Sequence, residues 1–137
     1  MKNNLIDTYS ITKAGYDPVL IAGGWQAAFL TYAAEPMLDK IDIHFETDEA
    51  FILYEGKAVL VAATVEGENV NFEAELMQPG KIYNIPARTW HAIRMQEGGA
   101  VYIVEKANTH LGDFEFHYLT GEQQLELDQL IDRKFSE

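Results

Sequence analysis

Between Ala58 and Leu76 the chain spells out two strands and the turn that joins them. Ala58 to Val65 is an almost unbroken apolar run, the pattern of a strand covered on both faces. Glu66-Gly67 supplies a turn. Val70, Phe72, Ala74 and Leu76 then alternate with Asn71, Glu73 and Glu75, as in a strand with one wet face. This is the clearest hairpin in the sequence, and it commits the middle of the chain to antiparallel sheet.

The flanking segments repeat the theme in shorter pieces. Residues 1 to 24 carry the apolar runs Leu5-Ile6 and Val19-Leu20-Ile21, broken by Gly15, Pro18 and Gly23-Gly24, and read as short strands or arms. Trp25 to Tyr32 is a strand, ended at Glu35-Pro36 because proline cannot donate to a ladder. Pro79-Gly80 makes a turn, Ile82 to Ile85 a short strand ended by Pro86, and His91 to Met95 another. Ala100 to Glu105 and Phe114 to Leu119 are strand-like. The chain finishes in a helix over about 121–135: Thr120 as N-cap with Gln123 three positions on is a capping-box pattern. Leu127, Leu130, Ile131 and Phe135 follow at helical spacing, a stripe for packing on the outside of the sheets or on a second subunit. Many short strands and one terminal helix predict an all-β sandwich or barrel.

At 137 residues the chain fits one domain with a real core. With no cysteine, disulfides and thiolate metal sites are both excluded. A net charge of -12 makes nucleic acid and anionic membranes poor partners. No apolar run approaches the roughly 20 residues of a membrane span, and the opening MKNNLIDTYS has no secretion signal, so a cytoplasmic protein is expected. There is no G-x-S-x-G, P-loop, dinucleotide fingerprint or H-E-x-x-H, which removes serine hydrolases, NTPases, Rossmann enzymes and zincins.

Two stretches carry the chemistry: DIHFETDEAFILYEG from Asp42 to Gly56, and GKIYNIPARTWH from Gly80 to His91. Ile41, Ile43 and Phe45 alternate with Asp42, His44 and Glu46, so a strand here puts Asp42 and His44 on one face. Glu49 follows in a polar turn. A histidine, a nearby carboxylate and a distant second histidine can supply three metal ligands.

The spacing resembles that of the cupin superfamily. His44, four intervening residues, Glu49, six more and Gly56 match the end of its first motif, G-x5-H-x-H-x3-4-E-x6-G. Gly80, five residues, Pro86 and His91 match its second, G-x5-P-x-G-x2-H-x3-N. The likeness runs from about Lys40 to Met95. Asp42 stands where the family has its first histidine, Pro36 and Arg88 where it has glycines, and Met95 where it has asparagine. The resemblance implies a small RmlC-like double-stranded β-helix, the cupin jelly-roll barrel. It also implies a divalent ion (Fe, Mn, Ni or Zn) at His44, Glu49 and His91. Asp42 is either a fourth ligand or the acceptor that fixes the tautomer of His44.

Arg88, Tyr83 and Trp90 are candidates for the substrate pocket, with loop surface for the arginine and core packing for the aromatics as the plainer readings. His110 and His117 lie outside the motifs. Similar proteins include dioxygenases, isomerases, decarboxylases, lyases and non-catalytic binding proteins. The expected function is therefore a metal site that binds or transforms a small metabolite. The alternative is a metal-free module for a sugar or other small ligand, and a third variant is an epimerase-like pairing of His91 with Tyr83 or Tyr102. A homodimer is expected from the apolar edges.

Overall fold

The computed structural model describes residues 5–34 and 37–137. Among the described residues, ten strands form two antiparallel five-stranded sheets. The first sheet has the order β1 (Gly15–Ala22), β2 (Trp25–Thr31), β9 (Ala100–Lys106), β4 (Glu49–Glu55), β7 (Ile82–Ile85). The second has the order β10 (Glu115–Tyr118), β3 (Lys40–Ile43), β8 (Trp90–Met95), β5 (Ala58–Glu66), β6 (Asn69–Leu76). The hairpin read from the sequence is β5–β6, in register from Val59 opposite Leu76 to Glu66 opposite Asn69.

The doubly apolar run of β5 has a direct cause. Ala58 and Leu60 face the space between the sheets, packed with Phe51, Leu53, Val101 and Ile103. Val59 and Val61 face the other way, into a second core with Val70, Leu127 and Ile131. The helix α1 (Gly121–Phe135) covers that outer face. Its Thr120–Gln123 capping box is formed in both directions, at 3.0 and 3.2 Å. Leu127 and Ile131 are its buried contacts, and full burial of one such side chain contributes about 1.5–3 kcal/mol.

Three expectations change. Leu5-Ile6 lies in no strand and both side chains are exposed; β1 begins only at Gly15. Pro18 does not break β1, because this is an edge strand and its register shifts between Asp17 and Leu20, where a missing N–H costs no ladder bond. Glu49 is the first residue of β4 and not part of the turn before it, since its neighbours pair with β7 and β9 at once. The Glu35-Pro36 break, with Pro36 in the family's glycine position, lies outside the described residues. No helix among the described residues is long and apolar enough to cross a membrane.

Candidate metal centre

Asp42 on β3 is the cross-strand partner of His91 on β8, so the pleat turns both side chains to the same face. Their neighbours Ile41 and Ala92 point outward into the helix-covered core. His44 follows just past the end of β3, and Glu49 opens β4 in the facing sheet.

The loops between these elements are pinned. Asp113 accepts the backbone N–H groups of Phe45 and Glu46 at 2.9 and 3.0 Å. Asp48 accepts the Ala87 N–H and the Asn84 amide at 2.9 and 3.1 Å, tying the first motif to the second. Thr47 accepts the Lys106 N–H at 2.9 Å. Gly56 closes the first motif at φ +70°, and a side chain there would meet Gly98 O at 2.7 Å.

The four side chains meet. Glu49 Oε2 lies 2.8 Å from His44 Nε2 and 3.0 Å from His91 Nε2. Asp42 Oδ2 stands 3.7 and 3.6 Å from the same two nitrogens. His44, Glu49 and His91 are buried. Each imidazole has its Nδ1 against a backbone carbonyl, Asp113 O at 2.7 Å for His44 and Thr89 O at 3.0 Å for His91. A carbonyl only accepts, so Nδ1 carries the proton and the neutral ring presents a lone pair at Nε2. The tautomer of His44 is thus held by Asp113 and not by Asp42.

Two lone pairs and a carboxylate oxygen at this separation repel unless positive charge lies among them. Glu49 Oε2 is buried, and it has a hydrogen-bond donor there only when an Nε2 carries a proton. Donor atoms bound side by side to one divalent ion at about 2.1 Å stand roughly 3.0–3.4 Å apart. The observed spacings bracket that range, so these residues fit a metal ion.

Without an ion, protons supply the charge. Burial opposes protonation of His44, but contact with Glu49 outweighs it and raises the ring to about 9. His91 is raised against the same opposition, again chiefly by Glu49. Burial would raise Glu49, yet the two histidines hold it down at about 2. Asp42 is raised, first by burial.

Beside the four lies a cavity of about 220 Å³, bordered by Tyr16, Asp42, His44, Glu49, Glu105, His110, Phe114 and Phe116. None of the three predicted pocket residues borders it. Arg88 is exposed, with its guanidinium 5.6 Å from the centre of the Phe45 ring. Its φ of +68° is in the left-handed region that glycine adopts most readily, and its N–H donates to His44 O at 2.7 Å. Tyr83 packs on the inter-sheet core, and its hydroxyl accepts the Gln78 N–H at 2.9 Å. Trp90 packs outward into the helix-covered core, edge-on to His117. Tyr102 stacks with Phe29 and Tyr54, so neither tyrosine considered for an acid–base pair faces His91 across this cavity.

The residues missed from sequence are Tyr16, Gln26, Glu105 and His110. Gln26 is completely buried; its Nε2 reaches Tyr16 Oη at 3.0 Å, His110 Nδ1 at 3.2 Å and Glu105 Oε1 at 3.4 Å. Burial and the charge of Glu49 raise the Glu105 carboxyl to about 7. The signal was there in strand phase: Glu105 follows Val101 and Ile103 at period two, on the core face of an apolar strand.

The arrangement matches known architecture. BH2720 from Bacillus halodurans superposes with a TM-score of 0.55 at 18% identity, over 79% of this chain and 80% of that one. Hydroquinone 1,2-dioxygenase PnpCD, solved with Cd2+ and 4-hydroxybenzonitrile, superposes at 0.50 and 16% identity, over 71% and 66%. An RmlC-like cupin of double-stranded β-helix fold from Methanocaldococcus jannaschii gives 0.49 and 14%, over 77% and 93%. The chain has the cupin fold. No family model and no curated protein matches the sequence. In this fold the inward ends of β3, β4 and β8 bring the histidines and carboxylates together, and Asp42 and Arg88 are two of the four positions that depart from the motif pattern.

Proposed function

We propose that this cupin holds a divalent metal ion through His44, Glu49, His91 and Asp42, and uses it to bind or transform a small oxygen-bearing molecule. One observation carries the reading: the buried Glu49 Oε2 sits 2.8 and 3.0 Å from two imidazole Nε2 atoms whose rings have their other nitrogens committed to carbonyls, so the three atoms converge on one point that needs a positive charge. A bound ion would supply Lewis acidity, or redox chemistry if it is iron or manganese. The chain's own residues do the rest. Asp113 and Thr89 hold the rings in one tautomer and orientation. Phe114 and Phe116 flank the cavity and offer apolar surface to the body of a ligand. Among the described residues no lysine or arginine borders the cavity, so a neutral ligand with hydroxyl or carbonyl oxygens fits better than a carboxylate.

Metal analysis of untagged protein, followed by calorimetric titration of the chelator-stripped protein with Mn2+, Fe2+, Ni2+ and Zn2+, tests the proposal. About one ion per chain, lost in His91→Ala, is the expected result. A wild-type protein that takes up none of these ions overturns it, and a sugar-binding module without metal then becomes the better reading. Unchanged uptake by a folded His91→Ala protein overturns the ligand assignment.

A further inference from the structure

We propose that Glu105 is a further donor to the same ion, approaching from β9, and that the oxygen-rich donor set thereby narrows the lead of Zn2+ over a hard divalent ion such as Mn2+. The inference rests on the metal reading above and adds a residue outside both sequence motifs. Glu105 is only 6% exposed, and it borders the cavity. In the antiparallel pairing of β4 with β9 it lies one step beyond the Ala50–Val104 pair, beside Glu49. A carboxylate oxygen of Glu105, a ring nitrogen of His44 and a carboxylate oxygen of Glu49 lie within 4.8 Å of one another.

The two oxygens of Glu105 have different surroundings. Oε1 accepts from Tyr16 Oη at 3.3 Å and from Gln26 Nε2 at 3.4 Å. Oε2 is buried with no hydrogen-bond partner. Gln26 is itself fixed, because its Oε1 accepts the Asn108 N–H at 2.8 Å and so turns the NH2 end toward Glu105. The carboxyl is held by one oxygen while the other is buried and bare. A buried carboxylate oxygen without a donor is costly unless a cation meets it.

With Glu105 included, three carboxylates stand against two imidazoles. Carboxylate oxygen suits the hard ions, whereas imidazole suits zinc, copper and nickel. Each carboxylate added shifts preference toward the harder ion.

The test uses the full chain, stripped with chelator and reloaded with Mn2+, read by electron paramagnetic resonance and calorimetry, with Zn2+ in competition. Glu105→Gln keeps the shape and keeps an acceptor for Tyr16. The expected result is Mn2+ binding weakened by about tenfold or more, Zn2+ binding weakened by a smaller factor, and a higher melting temperature for the metal-free protein because a bare buried carboxylate is gone. Mn2+ affinity and spectrum unchanged from wild type in the folded variant overturn the proposal. If the glutamine variant does not fold, Glu105→Asp, which withdraws the oxygen by one methylene, is judged by the same Mn2+ criterion. A wild-type protein that binds neither ion fails the metal reading itself, and that outcome is distinct from a wild type that binds Mn2+ and a variant that binds it equally.

Discussion

The two faces of the second sheet make opposite use of the same strands. On the outward face Ile41, Val59, Val61 and Ala92 meet Leu127 and Ile131 of the helix, and no charged side chain lies among those buried residues. On the inward face, at one end, Asp42 and His91 meet His44 and Glu49 with a charge left to be balanced. Neighbouring residues of one strand, Ile41 and Asp42 or His91 and Ala92, belong to the two different environments. Stability is concentrated where every group is satisfied by packing. Chemistry is concentrated where satisfaction requires a proton or an ion.

Leu127→Ala is the sharpest way to damage one face and spare the other. It should cost about 2–5 kcal/mol of stability through the cavity it leaves, with the metal affinity of the folded fraction unchanged. Chemical denaturation and calorimetric titration on the same protein check both halves. Loss of metal affinity in the folded fraction would show that the two faces are coupled.

The pH dependence of the metal-free protein probes the other face. His44 is raised from 6.5 to about 9, so its contribution is complete below about pH 6.5 and is lost as pH rises through 9. Glu105, raised from 4.5 to about 7, acts with the same sign at lower pH. Glu49, lowered from 4.5 to about 2, has the opposite sign, its contribution being lost only as pH falls below 4.5 toward 2. The site's contribution to stability should therefore decline from about pH 4.5 to pH 9 in the presence of a chelator. Added Mn2+ should reverse the slope, since an ion competes with protons for the same nitrogens. Melting temperatures at about pH 6.5 and 9, with chelator or with Mn2+, read the sign directly. The same slope in both conditions would place the titrating groups elsewhere.

Asp42→Asn should weaken metal binding by at least about tenfold, measured by the same titration, with little change in folding. A loss approaching that of His91→Ala is what a ligand gives, and a drop of only about tenfold would move Asp42 out of the ligand set. The smallest effect belongs to Arg88→Gly. It relieves a left-handed φ of +68° that costs a side-chain-bearing residue about 1–2 kcal/mol, but it gives up the contact with Phe45 and adds chain entropy to the unfolded state. A stability change within about 1 kcal/mol and unaltered metal binding are expected.

Much of this was legible in the residues themselves. The β5–β6 hairpin, the capping box and the stripe on α1 were local patterns, and local patterns survive because hydrogen bonding and periodicity act over a few positions. His44, Glu49 and His91 were legible through their spacing around Gly56, Gly80 and Pro86. The left-handed backbone at Arg88 was not legible, because a side chain other than glycine gives no sign of a positive φ.

What the sequence by itself determined is the order of elements, the outward and inward phase of each strand, and the pair of histidines with their glutamate. Only the tertiary structure decided what stands across from them. Tyr16, Gln26, Glu105 and His110 come from β1, β2, β9 and the turn at Thr109–Leu111, separated by up to 94 positions, as Tyr16 is from His110. No periodicity links residues so far apart. Their meeting depends on the register of β2 and β4 on β9, which is set by the packing of the whole inter-sheet core.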